Sequence, residues 1–285
     1  MIDIGISGWM ADMGEMIPHD CGLDSGEAGT TYHNKYPVDW ARLNQEAVAE
    51  AKMEKEILCF YRAGYSGSAR YSSMFFNGDQ MVDWTREDGL PSAILGSVSL
   101  GISGAGYIHS DIGGFTTLAY KKRSAELLMR WSEFAAFSQA MRSHEGNRPY
   151  RNVQISEDDT VISHLAKMVE VFMVLKPYHQ EISAQYQNKG YPSMRILPFH
   201  YAAETKHLPK WQYQYLYGRD LLVAPVLKPG KRSWRVRLPD DSWIHLWTGK
   251  AYKGDIIARV EAPLGQPPVF YRAESKWKNL FETLK

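Results

Sequence analysis

Cysteine is almost missing from this chain: Cys21 and Cys59 are the only two in 285 residues. A disulfide framework is therefore not indicated. Cys59 sits in the apolar run Ile57-Leu58-Cys59-Phe60-Tyr61 and reads as a small buried hydrophobe. No run of 18 apolar residues occurs, which excludes a helical membrane span. The N-terminus lacks a charged region followed by an apolar one, so no secretory signal is read there. That points to the cytoplasm. Neither sign of charge dominates: 33 basic and 32 acidic residues are mixed along the chain. No basic block suggests nucleic acid, and no polybasic patch suggests an anionic membrane. The G-x-G-x-x-G, Walker A and G-x-S-x-G patterns and zinc-ligand spacings are also absent. Nucleotide, metal and serine-hydrolase chemistry thus find no support.

What is abundant is apolar and aromatic surface, at 44% and 13% of residues. That suffices for one large domain or two smaller ones. Abundant Trp and Tyr suit a protein that handles sugars, although core packing accounts for most of the nine Trp.

The first two-thirds alternates strand and helix patterns. Strands are expected over Ile2 to Ile6, Ile57 to Tyr61, Met74 to Phe76, Tyr107 to His109 and Met141 to His144. Helices are expected over Val38 to Lys55, Pro91 to Ile102, Ser124 to Phe137 and, as one long element, Val161 to Tyr186. Such alternation implies a parallel sheet with crossover helices. Polar and glycine-containing motifs recur after the strands, where a (β/α)8 barrel carries its chemistry. From about Met194 short strands separated by Pro-Gly, Pro-Asp and Thr-Gly turns take over. The expected fold class is α/β: the C-terminal part of a (β/α)8 TIM barrel over 1–193, then an all-β sandwich over 194–285.

Two motifs place an aspartate where a barrel strand should end. They are Trp9-Met10-Ala11-Asp12-Met13-Gly14-Glu15 and Phe75-Phe76-Asn77-Gly78-Asp79-Gln80. Two carboxylates at strand ends are the minimum equipment for cleaving a glycosidic bond. One attacks the anomeric carbon or activates water; the other protonates the leaving oxygen. Taken singly, each aspartate also reads as a helix N-cap or a turn residue.

These motifs, with Ser110-Asp111-Ile112-Gly113-Gly114, Arg142-Ser143-His144-Glu145 and Gly218-Arg219-Asp220-Leu221-Leu222-Val223-Ala224-Pro225-Val226, resemble glycoside hydrolase family 31 in content and order. Lys35-Tyr36-Pro37-Val38-Asp39-Trp40 and His144-Glu145-Gly146-Asn147-Arg148-Pro149 resemble its bacterial sulfoquinovosidase subgroup. The resemblance extends to Pro268-Val269-Phe270-Tyr271-Arg272, essentially the whole chain. It implies a retaining α-glycosidase that acts on α-sulfoquinovosides. An α-glucosidase, an α-xylosidase and an inactive remnant are the alternatives. Asp12 matches the nucleophile and Asp79 the general acid/base; retention requires their carboxyls ~5–5.5 Å apart. Arg62 and His144 match sugar-contacting residues, and Glu15 and Asp111 match supporting carboxylates. Trp9 and Trp84 read equally as pocket lining or core. Gly113-Gly114 reads as a close backbone approach to ligand or as an ordinary turn. No cofactor and no metal is implied, because two carboxylates suffice. The implied partner is a small-molecule glycoside, with self-association into a homo-oligomer left open.

Two departures follow. Phe115 stands where the subgroup has a tyrosine, and a phenyl ring cannot donate the hydroxyl hydrogen bond to a sulfonate. An Arg and a Trp that complete sulfonate recognition in the subgroup precede the matched segment. The family's nucleophile follows about the fourth barrel strand, so the chain is expected to be the C-terminal part of a longer enzyme.

Overall fold

The computed structural model describes residues 1–285. They form two compact units, Met1–Gly78 and Asp79–Lys285.

The first unit opens on a 3-10 turn at Ile2–Ile4, where a strand was expected. None of the turn's residues is buried, so the apolar run has no sheet to join. Strand β1 follows at Gly8–Met10. A short helix α1 (Gly29–Tyr32) leads into α2 (Tyr36–Glu50). Pro37 sits in the first turn of α2, where a missing N–H costs nothing. Pro37, Ala41 and Val48 recur at helical spacing and form the buried stripe. The helix ends short of the expected Lys55 because Lys52 turns left-handed, at φ 57°. Strands β2 (Leu58–Tyr61) and β3 (Met74–Phe76) complete the unit. β1 pairs with β2 in parallel, Trp9 opposite Cys59, and β2 with β3, Tyr61 opposite Phe75. β1–α2–β2 is thus one crossover unit of a parallel sheet.

The second unit begins with α3 (Leu90–Ile102), β4 (Ile108–His109) and β5 (Asp111–Ile112). Helix α4 (Ala125–Ala135) is capped by the Ser124 hydroxyl, which accepts from the Leu127 amide. Strand β6 (Arg142–Ser143) pairs in parallel with β5. The single long helix expected next is two, α5 (Asp159–Val174) and α6 (Lys176–Lys189). Pro177 lies in the first turn of α6; lacking an N–H, it ends the upstream hydrogen-bond ladder. No helix is long and apolar enough to cross a membrane.

The remainder is antiparallel. Its strands are β7 (Met194–Arg195), β8 (Tyr215–Tyr217), β9 (Leu221–Val223), β10 (Ser233–Leu238), β11 (Ser242–His245), β12 (Ala251–Lys253), β13 (Ile256–Glu261) and β14 (Val269–Arg272). Six form a sheet in the order β12-β11-β14-β9-β8-β7, and β10 pairs with β13. Leu216, Leu222 and Phe270 on one face of the larger sheet pack with Val236, Leu238 and Val260 of the smaller, making a sandwich. Tyr215, Tyr217, Leu221, Val223 and Tyr271, on the opposite face by strand alternation, join Trp131, Phe134, Met168 and Ile182 of the helices.

Because that core is continuous, residue 193 is not a physical gap. Arg130 of α4 reinforces the join. Its guanidinium pairs with Glu133 at 2.8 Å and donates to the Lys231 and Ala262 carbonyls at 2.8 and 2.7 Å. Glu133 in turn accepts from the Gly265 amide at 2.7 Å.

Three imidazoles buried in this unit set its acid limit. Burial pushes His164, His179 and His245 down to about 4. The unfolded chain, with imidazoles near 6.5, takes up protons there that the folded chain refuses. The stabilisation is complete above pH 6.5 and is lost as pH falls toward 4, of the order of 1–3 kcal/mol for each group. Melting temperature should therefore fall by several degrees between pH 7 and pH 5. A constant melting temperature over that range would contradict the burial of these rings as neutral groups.

Candidate active site

In the first unit, parallel pairing brings the ends of β1 and β2 to one edge. The Ala11 amide donates to the Phe60 carbonyl at 2.9 Å, extending the ladder one residue past β1. Asp12 and Arg62 leave the sheet there, from neighbouring strands. The Arg62 Nε lies 2.7 Å from Asp12 Oδ1 and 2.5 Å from Glu15 Oε1. One guanidinium thus holds two carboxylates. Asp12 is partly exposed, at 35% of its side chain, whereas Glu15 is buried at 4%. Asp12 can meet a ligand; Glu15 fixes Arg62 from behind.

Local backbone geometry aims Asp12. Met13 is left-handed, at φ 64°, and its amide donates to Asp12 Oδ1 at 2.9 Å. A non-glycine residue in that region stores strain next to a candidate reactive group. Gly14 is required by space. A Cβ there would lie 2.5 Å from the Trp40 ring, whose indole N–H donates to the Ala11 carbonyl at 3.0 Å. The structure places Trp9 against helix α2: its indole donates to Asn44 Oδ1 at 2.8 Å. Its role is to fasten β1 to α2, and it lies on the helix side of the strand.

In the second unit the structure brings Asp79, Asp111, Phe115 and His144 into one neighbourhood. The Thr116 hydroxyl donates to the Asp79 carbonyl at 2.7 Å. Amides of Phe115 and Thr116 both donate to the Gln80 carbonyl at 2.9 Å. Gly114, at φ 76°, lies so close that a Cβ would be 2.7 Å from the Met81 carbonyl oxygen. Gly114 therefore lets this loop press on the segment that follows Asp79, while a Cβ on Gly113 would meet the Arg123 and Leu128 side chains.

Asp111 is 1% exposed, and burial raises its carboxyl above the ordinary range. The charge of Asp79 adds to that rise, while Arg142 opposes it. The Arg142 Nη2 lies 2.6 Å from Asp111 Oδ1, and its Nε contacts His109 Nε2 at 3.1 Å. His144 stands edge-on to Phe115, ring centres 4.8 Å apart. Its Nδ1 accepts from the Gly146 amide at 3.0 Å. A neutral imidazole with an accepting Nδ1 carries its proton on Nε2, so His144 can donate to a sugar hydroxyl.

Arg123 was not foreseen as part of this region. It is 1% exposed. Its guanidinium donates to the carbonyls of Gly114, His144, Glu145 and Val153 at 3.2, 2.7, 3.2 and 3.1 Å. A buried cation that collects carbonyls from two loops is invisible in sequence, because no partner carries charge. Burial accordingly holds its ionisation below the ordinary arginine range. Arg123→Met should cost about 3–5 kcal/mol, because several buried carbonyls lose their donor. Chemical denaturation checks this; a loss under ~0.5 kcal/mol, the range of ordinary surface changes, would refute the clamp.

No group of three or more His, Cys, Asp or Glu side chains is placed to hold a metal ion.

Residues 1–181 match the glycosyl hydrolases family 31 TIM-barrel domain, and residues 190–275 the family 31 C-terminal domain. The chain belongs to glycosyl hydrolase family 31. Within that family it is 50% identical to a sulfoquinovosidase of Escherichia coli (strain K12), over all of this chain and 42% of that protein. A sulfoquinovosidase of Agrobacterium fabrum (strain C58) is 46% identical, over all of this chain and 43% of that protein. Among solved structures, a family 31 sulfoquinovosidase from E. rectale, in complex with the aza-sugar inhibitor IFGSQ, superposes with a TM-score of 0.95 at 44% identity. That match covers 99% of this chain and 42% of the other. The chain thus spans about two-fifths of the relatives it matches. Its fold is the family's: TIM-barrel strands and helices followed by a C-terminal β-sheet domain.

Proposed function

We propose that this chain carries the catalytic carboxylates of a retaining α-glycosidase that hydrolyses α-sulfoquinovosides. The observation that carries the reading is the 50% identity to a sulfoquinovosidase along the entire chain. The Asp12–Arg62–Glu15 arrangement supports it chemically.

In the first step the Asp12 carboxylate attacks the anomeric carbon. The bond from that carbon to the leaving oxygen breaks, and Asp79 gives its proton to that oxygen. In the second step a water loses its proton to Asp79 and attacks the same carbon, and Asp12 departs as a carboxylate. Arg62 orients the Asp12 carboxylate for its attack. Asp111 and Arg142 hold the strand ends that present His144, and His144 donates to sugar hydroxyls. The reaction needs neither cofactor nor metal, because all charge is handled by two carboxylates.

A specific observation keeps a neutral sugar as the second reading. Phe115 supplies a ring edge where a hydroxyl donor would bind an anion, which suits an α-glucoside or α-xyloside. Proton NMR of the first product separates retention from the alternatives. An α-anomer formed first, from a sulfonated substrate, fits the proposal. A β-anomer formed first would rule out a covalent intermediate on Asp12.

A further inference from the structure

One cleft in the second unit is unrelated to the residues above. It has a volume of about 640 Å³, and none of Asp79, Asp111, Phe115 and His144 lines it. That size lies inside the ~300–1,000 Å³ range of small-molecule sites. Its walls are the start of α3, the segment from 210 to 214, and the antiparallel pair of β10 and β13.

The charge of this cleft is one-sided. Arg86, Lys210, Lys228, Lys231, Arg235 and Arg259 line it, and no aspartate or glutamate does. None of the six pairs with a carboxylate. Four other arginines of the same unit do pair with carboxylates: Arg130 with Glu133, Arg232 with Glu126, Arg237 with Glu204, Arg272 with Asp241. For a chain of net charge +1, such a collection is a local departure.

Register makes it sharper. Arg235 of β10 stands directly opposite Arg259 of β13 in the antiparallel pair. Like charges at directly opposed positions destabilise a sheet. The Arg259 guanidinium reaches Ser233 Oγ at 3.2 and 3.0 Å, a neutral partner that leaves the repulsion standing. Two planar forks on one face, unneutralised, match an oxyanion bound between them.

The apolar part of the wall is aromatic. Trp84, Trp211, Tyr213 and Trp234 line the cleft, each partly buried. Arg86 lies over the Tyr213 ring at 5.8 Å, and Lys210 over Trp211 at 5.8 Å. Aromatic faces beside cations suit a sugar ring that carries a negative group. The same pairing suits nucleic-acid bases and phosphates. A bounded cleft of this volume favours a short saccharide over an extended strand.

We propose that this cleft is a second saccharide site, one that takes a short anionic saccharide. Its oxyanion sits between Arg235 and Arg259, and its sugar face lies on the Trp211 ring. Occupancy there does not depend on which glycoside Asp12 and Asp79 cleave.

The test is calorimetric titration of the full chain with cellobiose 6-sulfate. That probe is β-linked and so lies outside the proposed α-glycosidase chemistry. Neutral cellobiose, sodium sulfate and octathymidylate are titrated in parallel. The expected result is binding of cellobiose 6-sulfate at least tenfold tighter than neutral cellobiose or sulfate alone. The double variant Arg235→Glu/Lys228→Glu and the single variant Trp211→Ala should each raise its Kd at least tenfold. Arg235 and Lys228 are exposed, so the double variant should melt like the parent chain. Absence of binding, or a Kd unchanged in both variants, would overturn the proposal. Octathymidylate bound more tightly than the sulfated sugar, and lost in the same variants, would overturn it in favour of nucleic acid.

Discussion

Asp12→Asn should abolish turnover and leave the fold intact. The amide is nearly the same size as the carboxylate but is neutral and a poor nucleophile, so no glycosyl ester forms. The expected loss is at least ~10⁴-fold in kcat, because no other group replaces a covalent nucleophile. Stability should change little, for two reasons visible in the geometry. Glu15 still holds Arg62 at 2.5 Å, so the guanidinium keeps a buried partner. The amide oxygen can still accept from the Met13 amide, which sustains the left-handed turn. Retained turnover in a variant that melts like the parent would remove Asp12 from the reaction.

Asp79→Ala should behave differently, and the difference is diagnostic. General acid catalysis matters most when the leaving group is a poor one. For an alkyl glycoside the expected loss is roughly 10²–10⁴-fold. For an aryl glycoside with an acidic phenol the first step needs little protonation, so the loss should be much smaller. A variant equally slow on both classes would show that Asp79 holds structure and does not move a proton. The Thr116 bond goes to the Asp79 main-chain carbonyl, so side-chain truncation leaves it in place.

Much of this architecture was legible in sequence because its signals are local. β2, β3 and α3 were read within a residue or so, from short apolar runs and a proline at a helix start. The helix expected from Ser124 is α4, which starts one residue later because Ser124 is its cap. The errors share a physical cause. Ile2 to Ile6 has the composition of a strand, yet no neighbour buries it, and it forms a turn. Val161 to Tyr186 has helical spacing throughout, and the interior Pro177 overrides it. The boundary near residue 193 rests on a change of rhythm from helices to short strands; across it, Tyr215, Tyr217 and Tyr271 share a core with α4 to α6.

The candidate site divides the same way. Motif order exposed Asp12, Asp79, Asp111 and His144, since charged residues after strands are conspicuous. Trp9 was ambiguous: an indole on a strand has two faces to choose from, and only the bond to Asn44 decides between them. Arg123 left no trace, because its partners are backbone carbonyls contributed by two loops. The strained Met13 was equally hidden, since its left-handed backbone lacks the glycine or asparagine that normally marks one.

Cleavage of a sulfonated α-glycoside by the carboxylates of this chain is tested by turnover of the purified 285-residue chain, with an aryl α-sulfoquinovoside and an aryl α-glucoside offered side by side. Release should be faster from the sulfonated substrate, and Asp12→Asn should release neither. No release from the sulfonated substrate, equal release from both, or release that survives Asp12→Asn would contradict it.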